Sequence, residues 1–278
     1  MPDPHPKEDL PFSHYAPKHR LVAWLSLHLF DRATYTVRHG LLKGMTRKGG
    51  LGWVPAMFSP GTMTAEEQFW SGLDLTGKTV YDIGAFQGLL TLFFASRARV
   101  VVCFEPNTRN HQRLTENLTL NGIRNVVVRK VGVGSLQETR TMVVSSLMPG
   151  GASVDGMMID GLLRAGADTA IEEISITALD EEIPRNALPA PDLIKIDTEG
   201  WEIEALRGSR NTLESYKPAL FLEMHGETIR EKKRKVAEIV AFLWQINYRR
   251  IRHIETGAMI TPENTPVAME GHLYCRTI

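Results

Sequence analysis

The chain has 278 residues, enough for one large α/β domain with an extension or two small domains, and one domain with an N-terminal arm is the expected arrangement. Lysine plus arginine and aspartate plus glutamate number 32 each, so the net charge is zero and no global field draws nucleic acid or an anionic membrane. The two cysteines, Cys103 and Cys275, sit in apolar runs suited to a reducing compartment, no apolar run reaches the roughly 18 residues of a membrane span, and residues 1–17 are not signal-like, so a soluble cytoplasmic protein is expected.

In chain order, Pro2, Pro4, Pro6, Pro11 and Pro17 forbid regular structure and predict an extended arm. Residues 21–30 then read as an apolar helix. Residues 37–48, with Arg38, His39, Lys43, Arg47 and Lys48, read as a basic amphipathic docking helix, so residues 1–65 form an arm and helical extension and residues 66–278 the main domain. From Thr79 short apolar runs alternate with helical periods, predicting strands at 79–82, 100–105, 125–131, 192–197 and 218–225 and helices near 87–97, 108–120, 199–215 and 227–246. In the last helix Val236, Ile239, Val240 and Leu243 form one buried face, leaving Lys232, Lys233, Arg234 and Lys235 to water. Two later strands, 248–254 and 272–278, close the sheet edge as an antiparallel pair. Between the third and fourth strands, runs at 139–145 and 171–177 predict a hairpin, and residues 146–170 a lid-like insertion over the strand ends. The fold class is therefore α/β, a doubly wound, mostly parallel, seven-stranded Rossmann-like sheet with an N-terminal helical extension.

The densest motif is Val80-Tyr81-Asp82-Ile83-Gly84-Ala85-Phe86-Gln87-Gly88, followed by an apolar strand that ends at Glu105, seventeen positions after Gly88. A strand, a glycine turn, a helix and a second strand ending in a carboxylate make a site for an adenosine-containing cofactor, with the carboxylate on the ribose hydroxyls. Phe86 stands where a dinucleotide site needs glycine, and Asp82 would repel a pyrophosphate but suits an ammonium group, so S-adenosylmethionine is the expected cofactor. Glu105 is assigned to the ribose, Asp82 with Gly84, Ala85 and Gly88 to the methionine end, and Asn107 to the edge of the adenine pocket. Asn117 and Asn121 read as helix-end residues.

Further along, Leu193-Ile194-Lys195-Ile196-Asp197-Thr198-Glu199-Gly200-Trp201-Glu202, Leu206-Arg207-Gly208, Lys217-Pro218 and Leu222-Glu223-Met224-His225 resemble the FkbM-type family of class I methyltransferases. With Asp82-Ile83-Gly84-Ala85 and Thr177-Ala178-Leu179-Asp180, the resemblance spans roughly residues 66–225. It implies O-methylation of a hydroxyl on a sugar or natural product, with a small hydroxylated acceptor as partner. Phe86-Gln87 and Trp201 depart from the family's usual smaller residues.

Methyl transfer from a sulfonium is an in-line displacement that needs positioning and exclusion of water, and an alcohol acceptor also needs its proton taken. Asp197, Glu199 and His225 are the catalytic candidates, with helix capping the structural alternative for Glu199. Asp197 and His225 suit either a base and its orienting partner or the ligands of a divalent metal. A metal-free base is expected and no metal ligand is assigned. Lys195 and Glu223, in neighbouring apolar strands, are expected to pair with each other. A nucleic-acid methyltransferase is disfavoured because Asp197-Thr198-Glu199-Gly200 stands in place of an Asn/Asp-Pro-Pro-aromatic turn. A non-catalytic scaffold, its acceptor pocket filled by Trp201, is the alternative from another class.

Overall fold

The computed structural model describes residues 31–49, 63–145, 152–153, 169–226 and 228–278. The proline-rich arm, the helix expected at 21–30 and most of the insertion expected as a lid lie outside the described residues. The chain begins with β1 (Thr34–Thr36), β2 (Thr46–Lys48), α1 (Ala65–Gly72), β3 (Thr79–Ile83), α2 (Leu89–Ala95), β4 (Val100–Phe104), α3 (Thr108–Leu120) and β5 (Val126–Arg129). There follow β6 (Gly132–Val133), β7 (Glu138–Ser145), β8 (Ala152–Ser153), β9 (Thr169–Thr177), α4 (Leu179–Arg185) and β10 (Leu193–Ile196). The last part holds α5 (Glu202–Arg207), α6 (Arg210–Tyr216), β11 (Ala219–Glu223), α7 (Ile229–Gln245), β12 (Arg250–His253), β13 (Met259–Ile260) and β14 (His272–Arg276).

The main sheet runs β13-β12-β14-β11-β10-β3-β4-β5. Its five strands from β11 to β5 are parallel, and β14 lies antiparallel between β11 and β12. Every residue of β3 and β10 is buried, as expected for central strands covered on both faces. The expected strands are present. An eighth, β13, is two residues long, too short to leave a periodicity in the sequence.

The strand alternation sorts the core into two layers. Tyr81, Ile83, Val102 and Phe104 face α4, α5 and α7, meeting Ile183, Leu206, Val240 and Leu243. Val80, Val101, Cys103 and Phe221 face the other way onto α1, α2 and α3, meeting Trp70, Leu92, Phe93 and Leu114. Trp70 and Phe221 are the hub of that second layer, with ring centroids 4.2 Å apart. Cys103 and Cys275 are both buried and free. No helix among the described residues is long and apolar enough to cross a membrane.

Three expectations are corrected. Residues 37–48 form no helix: β1 pairs antiparallel with β2, and the turn between them uses left-handed Gly40 and Gly44. The helix expected at 199–215 is two, broken at Gly208-Ser209, where the backbone packs so closely on Gly134 that a Cβ on Gly208 would sit 1.8 Å from its carbonyl oxygen. Lys235 does not face water: it is buried, bonded to Glu231 at 2.9 Å, and donates to the Gly200 carbonyl at 3.1 Å. The expected insertion hairpin is present as β7 and β9, inside a four-stranded sheet of order β6-β9-β7-β8.

Truncating Phe221 to alanine removes the ring that Phe69 and Trp70 pack against. The expected loss is about 3–5 kcal/mol of unfolding free energy, read as a lower denaturant midpoint at unchanged slope.

Candidate active site

Two turns at the carboxyl ends of adjacent strands meet at the centre of the site. Gly84, just past β3, has φ +76°, and a Cβ there would lie 1.7 Å from the Asp197 carbonyl oxygen past β10. Glycine is required both by the sign of φ and by this backbone contact. Beneath the junction sits Lys195. Its ammonium donates to the Gly84 carbonyl at 2.9 Å and to Asp197 Oδ2 at 3.0 Å, and it lies 3.4 Å from Asp82 Oδ1. The expected partner, Glu223, is replaced by Asp82 because strand register puts Lys195 beside Asp82 on β3 but beside Phe221 on β11. Burial works against the Lys195 charge, yet Asp197 and Asp82 outweigh it and hold the pKa above its ordinary value. Burial raises the Asp82 pKa, with Lys195 and a 2.5 Å bond from Thr91 opposing.

On one side of the junction a cavity of about 170 Å³ opens. Glu105 stands in its wall, 5 % exposed. The Phe86 amide donates to one carboxylate oxygen at 2.8 Å and the Asn107 amide to the other at 3.0 Å. Burial pushes its pKa up to about 7 against those amides. Each oxygen retains capacity for a further donor, as a ribose diol would supply. Phe104, Pro106 and Val133 give an apolar wall from the strand ends, and Met142, Ile174 and Ile176 give another from the β7–β9 hairpin. Trp201 is a wall and leaves the space open, its Nε1 buried without a hydrogen-bond partner among the described residues.

The other cofactor candidates divide. Asn107 is not in the cavity wall: its side chain caps α3 by accepting the Asn110 amide at 2.9 Å and donates to Glu172 at 2.7 Å. Asn110, one turn on, lines the cavity instead. Gly88 is the left-handed residue that starts α2, packed on Leu114, and has no place in either cavity wall. Asp82, Gly84 and Ala85 border a second cavity of about 430 Å³ on the far side of the junction. Its floor also carries Lys195, Asp197 and Glu223, and its outer wall is the β1–β2 hairpin with Tyr35, His39 and Arg47. Asn117 and Asn121 do more than end a helix: they hold this hairpin on α3, accepting the Lys48 and Thr46 amides at 2.9 and 2.8 Å.

The catalytic candidates converge. His225 Nε2 lies 3.7 Å from Asp197, 3.6 Å from Glu199 and 3.6 Å from Glu223, while Nδ1 is 3.0 Å from Glu202. Glu202, 1 % exposed, also accepts the Gly200 amide at 2.9 Å and the Thr198 amide at 3.2 Å. The carboxylate that ties down this turn is therefore Glu202, and Glu199 is left, at φ +51°, with its side chain toward the first cavity. Burial disfavours the His225 charge, but Glu202, Asp197 and Glu199 push its pKa up to about 10. Burial raises Glu199 to about 7, with His225 opposing. Asp197 is held below the usual carboxylate range by Lys195 and His225, which outweigh its burial. Ligand atoms of Asp197, Glu223 and His225 all lie within 4.8 Å of one another, near enough to share one divalent cation. Sequence reasoning assigned Glu202 no role; its position on the first turn of α5, five residues past Asp197, was the available signal.

The family model for the methyltransferase FkbM domain matches residues 82–250. The chain is 25 % identical over 183 residues to the hexuronic acid methyltransferase AglP of Haloferax volcanii, covering 59 % of this chain and 70 % of that protein. Among solved structures, a methyltransferase FkbM from Methylobacillus flagellatus matches with a TM-score of 0.47 at 21 % identity over 74 % of this chain, which spans only 45 % of that protein. A candidate methyltransferase from Streptococcus mutans in complex with SAH matches with a TM-score of 0.45 at 12 % identity, over 78 % of this chain and 100 % of that one.

His225 makes the site's contribution to stability depend on pH. Its folded pKa of about 10 lies above an unfolded value of about 6.5, so the stabilisation is complete below about pH 6.5 and fades as pH rises toward 10. Unfolding free energy should fall more steeply between pH 7 and 10 in the wild type than in His225→Gln; parallel curves would mean that no imidazolium is held there.

Proposed function

We propose that this chain, which belongs to the FkbM methyltransferase family, transfers a methyl group from S-adenosylmethionine to a hydroxyl of a sugar. The observation that carries this reading is the position of Asp197, which borders both cavities at the Gly84 junction and reaches the His225 cluster. One cavity suits a nucleoside and the other a polar acceptor, with one carboxylate between them. The Haloferax relative, named for hexuronic acid, supports a sugar as acceptor.

The residues present fit the cofactor. Glu105, with each oxygen already oriented by a backbone amide, would accept the ribose hydroxyls, and Phe104, Pro106 and Val133 would flank the adenine. Asp82, Gly84 and Ala85 would hold the methionine end. When bound, S-adenosylmethionine supplies a methyl group on a sulfonium, already activated for displacement. The chain's own work is then to position the acceptor, exclude water and take a proton.

Glu199 is the proton acceptor in this reading: it lies on the first-cavity side of the junction, but it shares His225 Nε2 with Asp197, at 3.6 and 3.7 Å, and so stands beside the carboxylate that borders both cavities. Its pKa of about 7 leaves a useful fraction ionised at neutral pH while keeping it basic enough to accept a proton. His225, with a pKa of about 10, is charged and cannot act as a base near neutrality, so it fixes Asp197 and Glu199 electrostatically. Asp197, anionic, directs the acceptor hydroxyl. Trp201 walls the first cavity without filling it and has no place in the wall of the second, so it does not occupy the acceptor space of this reading, which favours an enzyme over a non-catalytic scaffold.

Calorimetric titration with S-adenosylhomocysteine should give micromolar binding that Glu105→Ala weakens by about 1–3 kcal/mol, the cost of stranding hydroxyls in a buried site; a folded wild type that binds none would sink the cofactor assignment. With uronic acids and neutral sugars offered as acceptors, Glu199→Gln should lower kcat by about 10²–10⁴ with cofactor binding retained. The ascending limb of the wild-type rate profile should have its midpoint near pH 7. Unchanged turnover in Glu199→Gln would move the base elsewhere.

A further inference from the structure

We propose that Arg47 is a carboxylate-binding residue, and that a ligand in the second cavity carries a carboxylate that pairs with its guanidinium. The inference deepens the methyltransferase reading and rests on it for the nature of the ligands.

The basic residues around Arg47 are matched by acids. Arg113 pairs with Asp31 at 2.9 Å and with Glu116 at 3.4 Å, Lys48 with Glu116 at 3.1 Å, and Arg109 with Asp31 at 3.0 Å. Arg47 has no ion pair or side-chain hydrogen bond among the described residues, and its Nε is buried with no partner. Leaving the buried Nε of a guanidinium unmatched is costly, and the cost disappears when an anion arrives in bidentate geometry. Burial lowers the proton affinity of Arg47, Tyr35 opposes this, and Arg113 adds to it. Arg47 is also held in place: it faces Tyr35 across the β1–β2 register, and the strand carrying it is bonded to Asn117 and Asn121 on α3. A fixed cation in a cavity wall selects for charge better than a side chain on a free loop.

The rest of the cavity narrows the class of ligand. Its lining is rich in acceptors, with Asp82, Asp197, Glu223, Glu66 and Glu67, the last of these already accepting the Thr64 amide at 3.0 Å. A matching molecule presents a carboxylate at one end and N–H or O–H donors at the other. Two molecules do so: the amino-acid end of the cofactor, with its carboxylate and ammonium, and an acidic sugar, with its carboxylate and ring hydroxyls. A neutral sugar leaves Arg47 unmatched.

The test compares wild type, Arg47→Gln and Arg47→Lys by calorimetry. The first arm uses S-adenosylhomocysteine and 5′-methylthioadenosine, which shares its adenosine and thioether but lacks the amino-acid group. If the carboxylate is the cofactor's, Arg47→Gln should bind S-adenosylhomocysteine about tenfold or more weakly and methylthioadenosine as before, with Arg47→Lys recovering part of the loss. The second arm uses methyl glucuronide against methyl glucoside, with S-adenosylhomocysteine saturating. If the carboxylate is the acceptor's, the wild type should prefer the glucuronide by about tenfold or more, and Arg47→Gln should lose that preference while binding S-adenosylhomocysteine normally. An Arg47→Gln protein matching wild type toward all four ligands overturns the proposal, as does a wild type without glucuronide preference whose S-adenosylhomocysteine affinity is insensitive to Arg47→Gln. A wild type that binds neither adenosine ligand defeats the cofactor reading instead, and the glycoside pair measured alone still judges Arg47. Unfolding midpoints at or above wild type in both variants show that the hairpin stays folded.

Discussion

The site is organised around one buried ammonium. Lys195 bridges Asp82 on β3, the Gly84 carbonyl in the turn after β3 and Asp197 just past β10, so a single charge fixes two strand ends against each other. A buried ion pair contributes little net stability, since desolvating the ions offsets most of the attraction, but it penalises every arrangement that leaves a charge alone. Here that penalty enforces register. A one-residue slip of β10 on β3 would turn Lys195 to the opposite face and strand both carboxylates. The backbone contact between Gly84 and Asp197 is then affordable only because the two turns are held together from below.

From that anchor the chemistry follows outward. Asp197 is pinned as an anion by Lys195 on one side and His225 on the other. His225 in turn is oriented by Glu202, whose carboxylate also collects the amides of the turn at Thr198 and Gly200. Glu199 projects from the same turn without Lys195 beside it, and so keeps a pKa near neutrality while Asp197 does not. Two carboxylates two residues apart thus differ in their readiness to take a proton, and the difference comes from which cation each one faces.

Much of this was legible in the sequence wherever the cause is local. Central strands with both faces covered have no polar alternation, so β3, β4 and β10 stand out as apolar runs, and the glycines at 84 and 88 mark the turn between β3 and α2. Glu105, Asp197, Glu199 and His225 follow from their places at strand ends. What sequence could not supply was pairing across the chain. Lys195 could have met either flanking strand, and only the register with β3 selects Asp82 over Glu223. The walls contributed by Met142, Ile174 and Ile176 depend on where the β7–β9 hairpin folds back, which no spacing encodes. The segment at 37–48 misled because its basic periodicity suggested a helix, whereas Gly40 and Gly44 impose a hairpin turn and Asn117 and Asn121, some seventy residues away in sequence, fix it in place.

That hairpin changes what kind of site this is. A class I sheet alone presents its strand ends as an open edge, where a cofactor can lie but an acceptor has only one wall. The β7–β9 hairpin closes the edge over the first cavity, and the β1–β2 hairpin closes it over the second, so that neither cavity is built by the sheet alone. The residues contributed by the sheet, Asp82, Lys195 and Asp197, are committed to one another and have little latitude to change. Residues on the hairpins carry no such obligation. Under the proposed function, Tyr35, His39 and Arg47 on the hairpin could change what the second cavity accepts without disturbing the buried charges beneath it, which separates the residues that hold the strand ends from those that face a ligand.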